Sequence, residues 1–172
     1  MSDFGIFVAG DGAGDGAGDS IRFERQLAAL PENVWEHLIN SELLSEWLGA
    51  GEIEAKVGGK VFLRSGGPVI RGTVITCDPP NVLSYSWNVL MLGTEAPVTI
   101  EAILRFEMME NEGSCALVMT HGPVEDHFRA QTAAGWHAIL DILSAHVSGT
   151  APPDFMEVFQ RVSAEYEKTP VG

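Results

Sequence analysis

Two stretches decide the fold: VLSYSWNVL at 82–90 and VTIEAILRFEM at 98–108. In the first, Leu83, Tyr85, Trp87 and Val89 alternate with Ser84, Ser86 and Asn88; in the second, Val98, Ile100, Ala102, Leu104, Phe106 and Met108 alternate with Thr99, Glu101, Arg105 and Glu107. A period of two places each set on one face of a strand, so these are half-buried strands of a sheet that is covered on one side and wet on the other. Gly93 to Pro97 supply the turn between them. Further turn signals at Gly58-Gly59, Gly66 to Pro68, Asp78 to Asn81 and Asn111 to Ser114 recur at intervals of about ten residues and extend the pattern. They predict strands near 52–57, 60–65, 69–77 and 115–121, an antiparallel meander.

The cover for that sheet follows it. In EDHFRAQTAAGWHAILDILSAHVSG at 125–149, Phe128, Thr132, Trp136, Ile139, Leu140, Leu143 and Val147 fall at three- and four-residue steps. That periodicity predicts one amphipathic helix of about 36 Å, long enough to cross six or seven strands. Gly149 and Pro152-Pro153 end it. Before the meander, Ile21, Phe23, Arg25 and Leu27 share one face of an alternating strand. Pro31 then opens a helix carrying Val34, Trp35, Leu38 and Ile39, and Asn40 ends it. Ser41 is placed to cap a second helix with Leu43, Leu44, Trp47 and Leu48, stopped by Gly49. After Pro153, Asp154 and Glu157 resemble a capping box for a helix striped by Phe155, Phe159, Val162 and Tyr166.

Composition narrows the partners. With 10 Lys+Arg against 24 Asp+Glu, the 172-residue chain carries a net charge of −14. It has no basic run for nucleic acid or an anionic membrane surface. No apolar run reaches a membrane span and no signal-peptide pattern opens the chain, so a cytoplasmic protein is expected. Residues 1–20 hold six of the 19 glycines and four acids, Asp3, Asp11, Asp15 and Asp19. That density predicts a flexible leader, and its spacing fits neither common calcium loop. Cys77 and Cys115 fit no disulfide framework or CxxC pair and read as buried thiols.

The order strand, two short helices, six-stranded meander, long helix resembles the helix-grip, START-like (SRPBCC) superfamily. Within it, IRFERQLAALPENVWEHL, LLSEWLG, VGGKVFL, RGTVITCDPPNVLSYSW and AAGWHAILDILSAHV are similar to the activator of heat-shock-protein-90 ATPase homologue-like family. The resemblance covers about 20–149. It implies an α+β helix-grip domain, a curved antiparallel sheet of six to seven strands around the long helix. A leader at 1–19 and a helical extension at 150–172 would flank it. It also implies an apolar cavity between sheet and helix, used across the superfamily for lipids, sterols, hormones or polyketides, with cyclisation or hydrolysis in a minority.

Trp136, with Gly135 beside it to admit backbone or ligand closely, is either a lining residue or plain core. Trp47, Tyr85, Trp87, Phe128 and Leu140 carry the same two readings. Arg25 sits at apolar parity, as a carboxylate anchor or a structural ion pair. His121 shares a strand face with Leu117 and Met119, as a ligand contact or a satisfied histidine. An empty apolar cavity of about 300 Å³ would cost on the order of 7 kcal/mol, so a large one must be wet, occupied or collapsed. No metal or other cofactor is expected: there is no HExxH, and His137 and His146, nine apart, face opposite sides of a helix. No nucleophile elbow or phosphate loop is present. The final helix can fold back on the domain, form a homodimer through Phe155, Phe159, Val162 and Tyr166, or close a pocket mouth.

These readings leave three functions. The first is a module holding a small hydrophobic molecule. The second is a co-chaperone or interaction protein, with an occluded cavity and an exposed apolar patch. The third is a cyclase- or hydrolase-like enzyme in which His121 converges with Arg25 or a nearby carboxylate inside a solvent-accessible pocket.

Overall fold

The computed structural model describes residues 3–10, 18–91 and 98–172. Its elements are β1 (Ile6–Val8), β2 (Ser20–Leu27), α1 (Pro31–Ile39), α2 (Ser41–Trp47), β3 (Ala50–Ile53), β4 (Lys60–Arg64), β5 (Val69–Asp78), β6 (Val82–Met91), β7 (Val98–Asn111), β8 (Ser114–Gly122), α3 (Arg129–Ser148) and α4 (Phe155–Lys168). The strands make one eight-stranded antiparallel sheet in the order β1-β2-β8-β7-β6-β5-β4-β3. It is a helix-grip: the sheet curls and α3 fills its concave side. The alternation in β6 and β7 works as expected, with Leu83, Tyr85 and Trp87 buried opposite Phe106, Leu104 and Ala102. Part of the curl comes where β5 crosses β6. A Cβ on Gly72 would fall 1.7 Å from the Ser86 carbonyl oxygen, so only glycine fits, and the register shifts between Val74 and Thr76.

Several expectations are corrected. The sheet has eight strands rather than six or seven, because part of the segment read as a flexible leader is a strand. Ile6–Val8 pairs with β2, and Phe7 is buried. The Gly/Asp run at 11–17 lies outside the described residues. Asn40, not Ser41, caps α2: its side-chain oxygen accepts the Glu42 and Leu43 N–H groups, while its own N–H donates to the Glu36 carbonyl and closes α1. The first strand of the meander spans 50–53 rather than 52–57. The long helix starts at Arg129, after a 3-10 turn at Asp126–Phe128, so α3 has 20 residues. Cys115 is buried as expected, but Cys77 is only half-buried.

The closing helix folds back on its own domain. α4 packs on α3, its N-terminus held by Asp154, whose carboxylate accepts the Glu157 N–H. Val162 and Tyr166 are buried beneath it, so the homodimer stripe expected from Phe155, Phe159, Val162 and Tyr166 is half consumed inside the chain. Beyond α4, Val171 bridges Phe7, and the Gly172 N–H donates to the Phe7 carbonyl, tying both ends of the described chain to one sheet edge. Among the described residues no helix is long and apolar enough to cross a membrane, and no group of three His, Cys, Asp or Glu side chains could hold a metal ion.

Candidate functional site

The structure brings four of the eight candidate residues into ring contact, three of them mutually. Trp87 projects from β6, His121 from the end of β8, and Trp136 from the underside of α3. Their ring centroids lie 5.2 Å (Trp87 to Trp136), 5.7 Å (His121 to Trp136) and 6.4 Å (Trp87 to His121) apart. Tyr85 extends the group, 6.3 Å from Trp87, and Leu140 is buried one turn further along α3. Trp136 Nε1–H donates to His121 Nδ1. Burial pushes the His121 pKa down to about 4, because the imidazolium would lose its hydration. The ring is therefore neutral at ordinary pH. With Nδ1 accepting, its one proton is assigned to Nε2, leaving a single N–H donor in an aromatic setting.

Trp47 is buried but belongs to another neighbourhood: its indole N–H donates to the His37 carbonyl at 2.8 Å, and its ring faces Phe106. Phe128 does not line the interior. It is 40% exposed on the 3-10 turn, against His127. Gly135 admits no close backbone neighbour either, since a Cβ there would meet no atom within 4 Å.

Arg25 points inward, yet away from this aromatic group. By register it pairs with Leu117, while His121 pairs with Ile21. Four residues along a strand separate the two by about 13 Å. His121 and Arg25 therefore do not converge, which removes the version of the enzyme reading that paired them. Arg25 instead lies over the Phe23 ring and 3.7 Å from Asp141 of α3. Burial draws its pKa below the usual value, with Asp141 opposing.

Around Asp141 the structure assembles a group that periodicity did not single out. His137 Nε2 and the Arg161 guanidinium each lie 3.7 Å from Asp141 Oδ2. His137 Nδ1 is 2.8 Å from the Tyr166 hydroxyl, which also accepts the Gly5 N–H at 2.9 Å. The arrangement that satisfies each group has Tyr166 donating to Nδ1 and His137 turning Nε2–H toward Asp141. Burial raises Tyr166 to about 12 and lowers His137, so both are neutral at ordinary pH. The only sequence signal was the i, i+4 spacing of His137 and Asp141. Beside this group a cleft of about 500 Å³ opens between β2, the β7–β8 turn and α3, lined by Arg25, Asp141, Asp3, Asn111, Glu112 and Ser144 among others.

Comparison with known proteins places these features. A family model described as "Activator of Hsp90 ATPase homolog 1-like protein" matches residues 28–148. CalU16 from Micromonospora echinospora has a similar crystal structure, with TM-score 0.76 and 18% identity over 98% of both chains. A Bordetella parapertussis protein solved by NMR aligns over 100% of this chain and 97% of its own, with TM-score 0.67 and 29% identity. The Aha1 dimer from Colwellia psychrerythraea aligns over 74% of this chain and 95% of its own, with TM-score 0.60 and 19% identity. A comparison with curated proteins finds no match.

Proposed function

The chain belongs to the activator of Hsp90 ATPase homologue 1-like family, and from that premise we propose that it is a cytoplasmic binding module for a small, largely hydrophobic molecule. The ligand would enter between the sheet and α3, against Trp87 and Trp136. The observation that carries this reading is the neutral His121 ring inside an aromatic group, with Nδ1 engaged by Trp136 and the proton on Nε2 as a donor. A mostly apolar interior with a fixed donor suits a ligand that offers a carbonyl or hydroxyl oxygen on a hydrocarbon body. The aromatic rings pack against one another, so binding would spread Trp87 from Trp136 rather than fill a standing void.

The test is fluorescence titration of gently purified protein with 1-anilinonaphthalene-8-sulfonate, together with native mass spectrometry for a retained small molecule. Saturable one-to-one binding that quenches tryptophan and disappears in Trp87→Ala supports the module. Absence of both a retained molecule and saturable binding overturns it.

A protein-docking role has one observation in its favour: Phe155 and Met156, at the start of α4, are 37% and 51% exposed, and Phe155 stacks on Phe159. It predicts that Met156→Glu abolishes partner capture while leaving the dye titration unchanged.

A further inference from the structure

The cleft beside Asp141 is built unlike the aromatic group, and it contains an unsatisfied cation. The Arg25 side chain is only 5% exposed. Its Nη1 donates to the Glu24 carbonyl at 3.2 Å, but Nη2 is buried without a hydrogen-bond partner among the described residues. The nearest carboxylate oxygen, Asp141 Oδ1, stands 3.7 Å away, beyond hydrogen-bond reach. A buried guanidinium N–H left unpaired costs free energy that a bound acceptor would recover. The structure therefore presents a donor and an acceptor across a gap that neither closes.

The charge of the lining selects what could fill it. Among the described residues, Asp3, Glu112 and Asp141 line the cleft against Arg25 as its one cationic side chain. Arg161, which approaches Asp141 from its other oxygen, lies outside the lining, and counting it still leaves an acidic excess. His137 is neutral there, with burial lowering its pKa. A free carboxylate, the partner expected for Arg25 from sequence, would meet three carboxylates at the same mouth. We infer that this cleft is a second binding site, separate from the grip, for a small molecule that carries an ammonium group next to a hydroxyl or carbonyl oxygen, such as an amino sugar or amino alcohol. The oxygen accepts from Arg25 Nη2 and the ammonium donates to Asp141, with Asp3 and Glu112 adding longer-range attraction. A cleft of about 500 Å³ accommodates a molecule of that size.

The test uses the full isotopically labelled chain, titrated by NMR with glucosamine, glucose and acetate in parallel. Glucosamine should shift the amides of Arg25, Asp141, Ser144 and the β7–β8 turn saturably, and higher salt should weaken it. Glucose and acetate should not saturate. Asp141→Asn should weaken glucosamine binding by about tenfold or more. Should that variant unfold, Ser144→Met, which fills the α3 wall from a half-exposed position, should also abolish binding while the melting temperature holds. Saturation by acetate would overturn the ammonium assignment, and saturation by none of the three would show that solvent alone occupies the cleft. These shifts map to Arg25 and Asp141, while dye binding maps to Trp87 and Trp136, so either site can fail alone.

Discussion

Trp87, His121 and Trp136 under the first half of α3 form a buried aromatic group joined by the Trp136–His121 hydrogen bond. Further along the same helix, Asp141 gathers Arg25, Arg161 and the neutral His137, each 3.7 Å from one of its carboxylate oxygens. One helix thus separates a dry site from a wet one. In the dry site a titratable group stays neutral because charging it would sacrifice hydration. In the wet site solvent reaches Asp141, whose side chain is 26% exposed.

The largest effect that could break this contrast is Trp136→Ala. The residue is 3% exposed and supports both Trp87 and His121. Its loss should cost about 3–5 kcal/mol in urea denaturation; a cost below about 1 kcal/mol, the range of surface substitutions, would mean the group is not packed.

Next comes the pH dependence of the dry site. The His121 pKa is depressed from 6.5 in the unfolded chain to about 4 in the fold. The unfolded state therefore binds the proton first as pH falls. Stability is fully present above about pH 6.5 and declines toward pH 4, by about 3 kcal/mol from this residue. His137, also depressed, acts in the same direction. His121→Leu should flatten the slope between pH 6.5 and 4 in denaturation curves, and an unchanged slope would remove His121 as its source.

A smaller effect probes the ordering of the N-terminal strand. Tyr166→Phe removes the acceptor of the Gly5 N–H and the partner of His137, costing about 1–3 kcal/mol. Hydrogen exchange should then accelerate in β1 and leave β6 and β7 slow; uniform acceleration would show that β1 is no separate unit. The smallest effect is a gain. With no atom near a Cβ at Gly135, Gly135→Ala should stabilise by about 0.5–1 kcal/mol, visible as a higher melting temperature. Destabilisation there would show that the open space at Gly135 is used.

Much of the architecture was legible because it follows from period. β6 and β7 alternate strictly, and both belong to the sheet's covered face. Phe128 was misplaced because a 3.6-residue period was extended through a 3-10 turn, which rotates that side chain outward. β1 was missed because a three-residue strand beside a glycine run carries little local signal. It is held by β2 and, from more than 150 residues away, by Val171 and Tyr166. The aromatic candidates were named by type and parity, but which of them meet was not readable: Trp87 and Trp136 converge, while Trp47 turns to His37.

Local chemistry alone determined the strand order of the meander, the long helix, the helix ends at Gly149 and Asp154, and the acidity that disfavours anionic partners, since each depends on neighbours within a few residues. Only the tertiary structure decided that Arg25 pairs with Asp141 rather than approaching His121. It alone seated the first strand against the last residues and buried half of the expected dimer stripe. Those outcomes depend on which distant surfaces meet when the sheet curls around α3, a relation that no short-range period encodes.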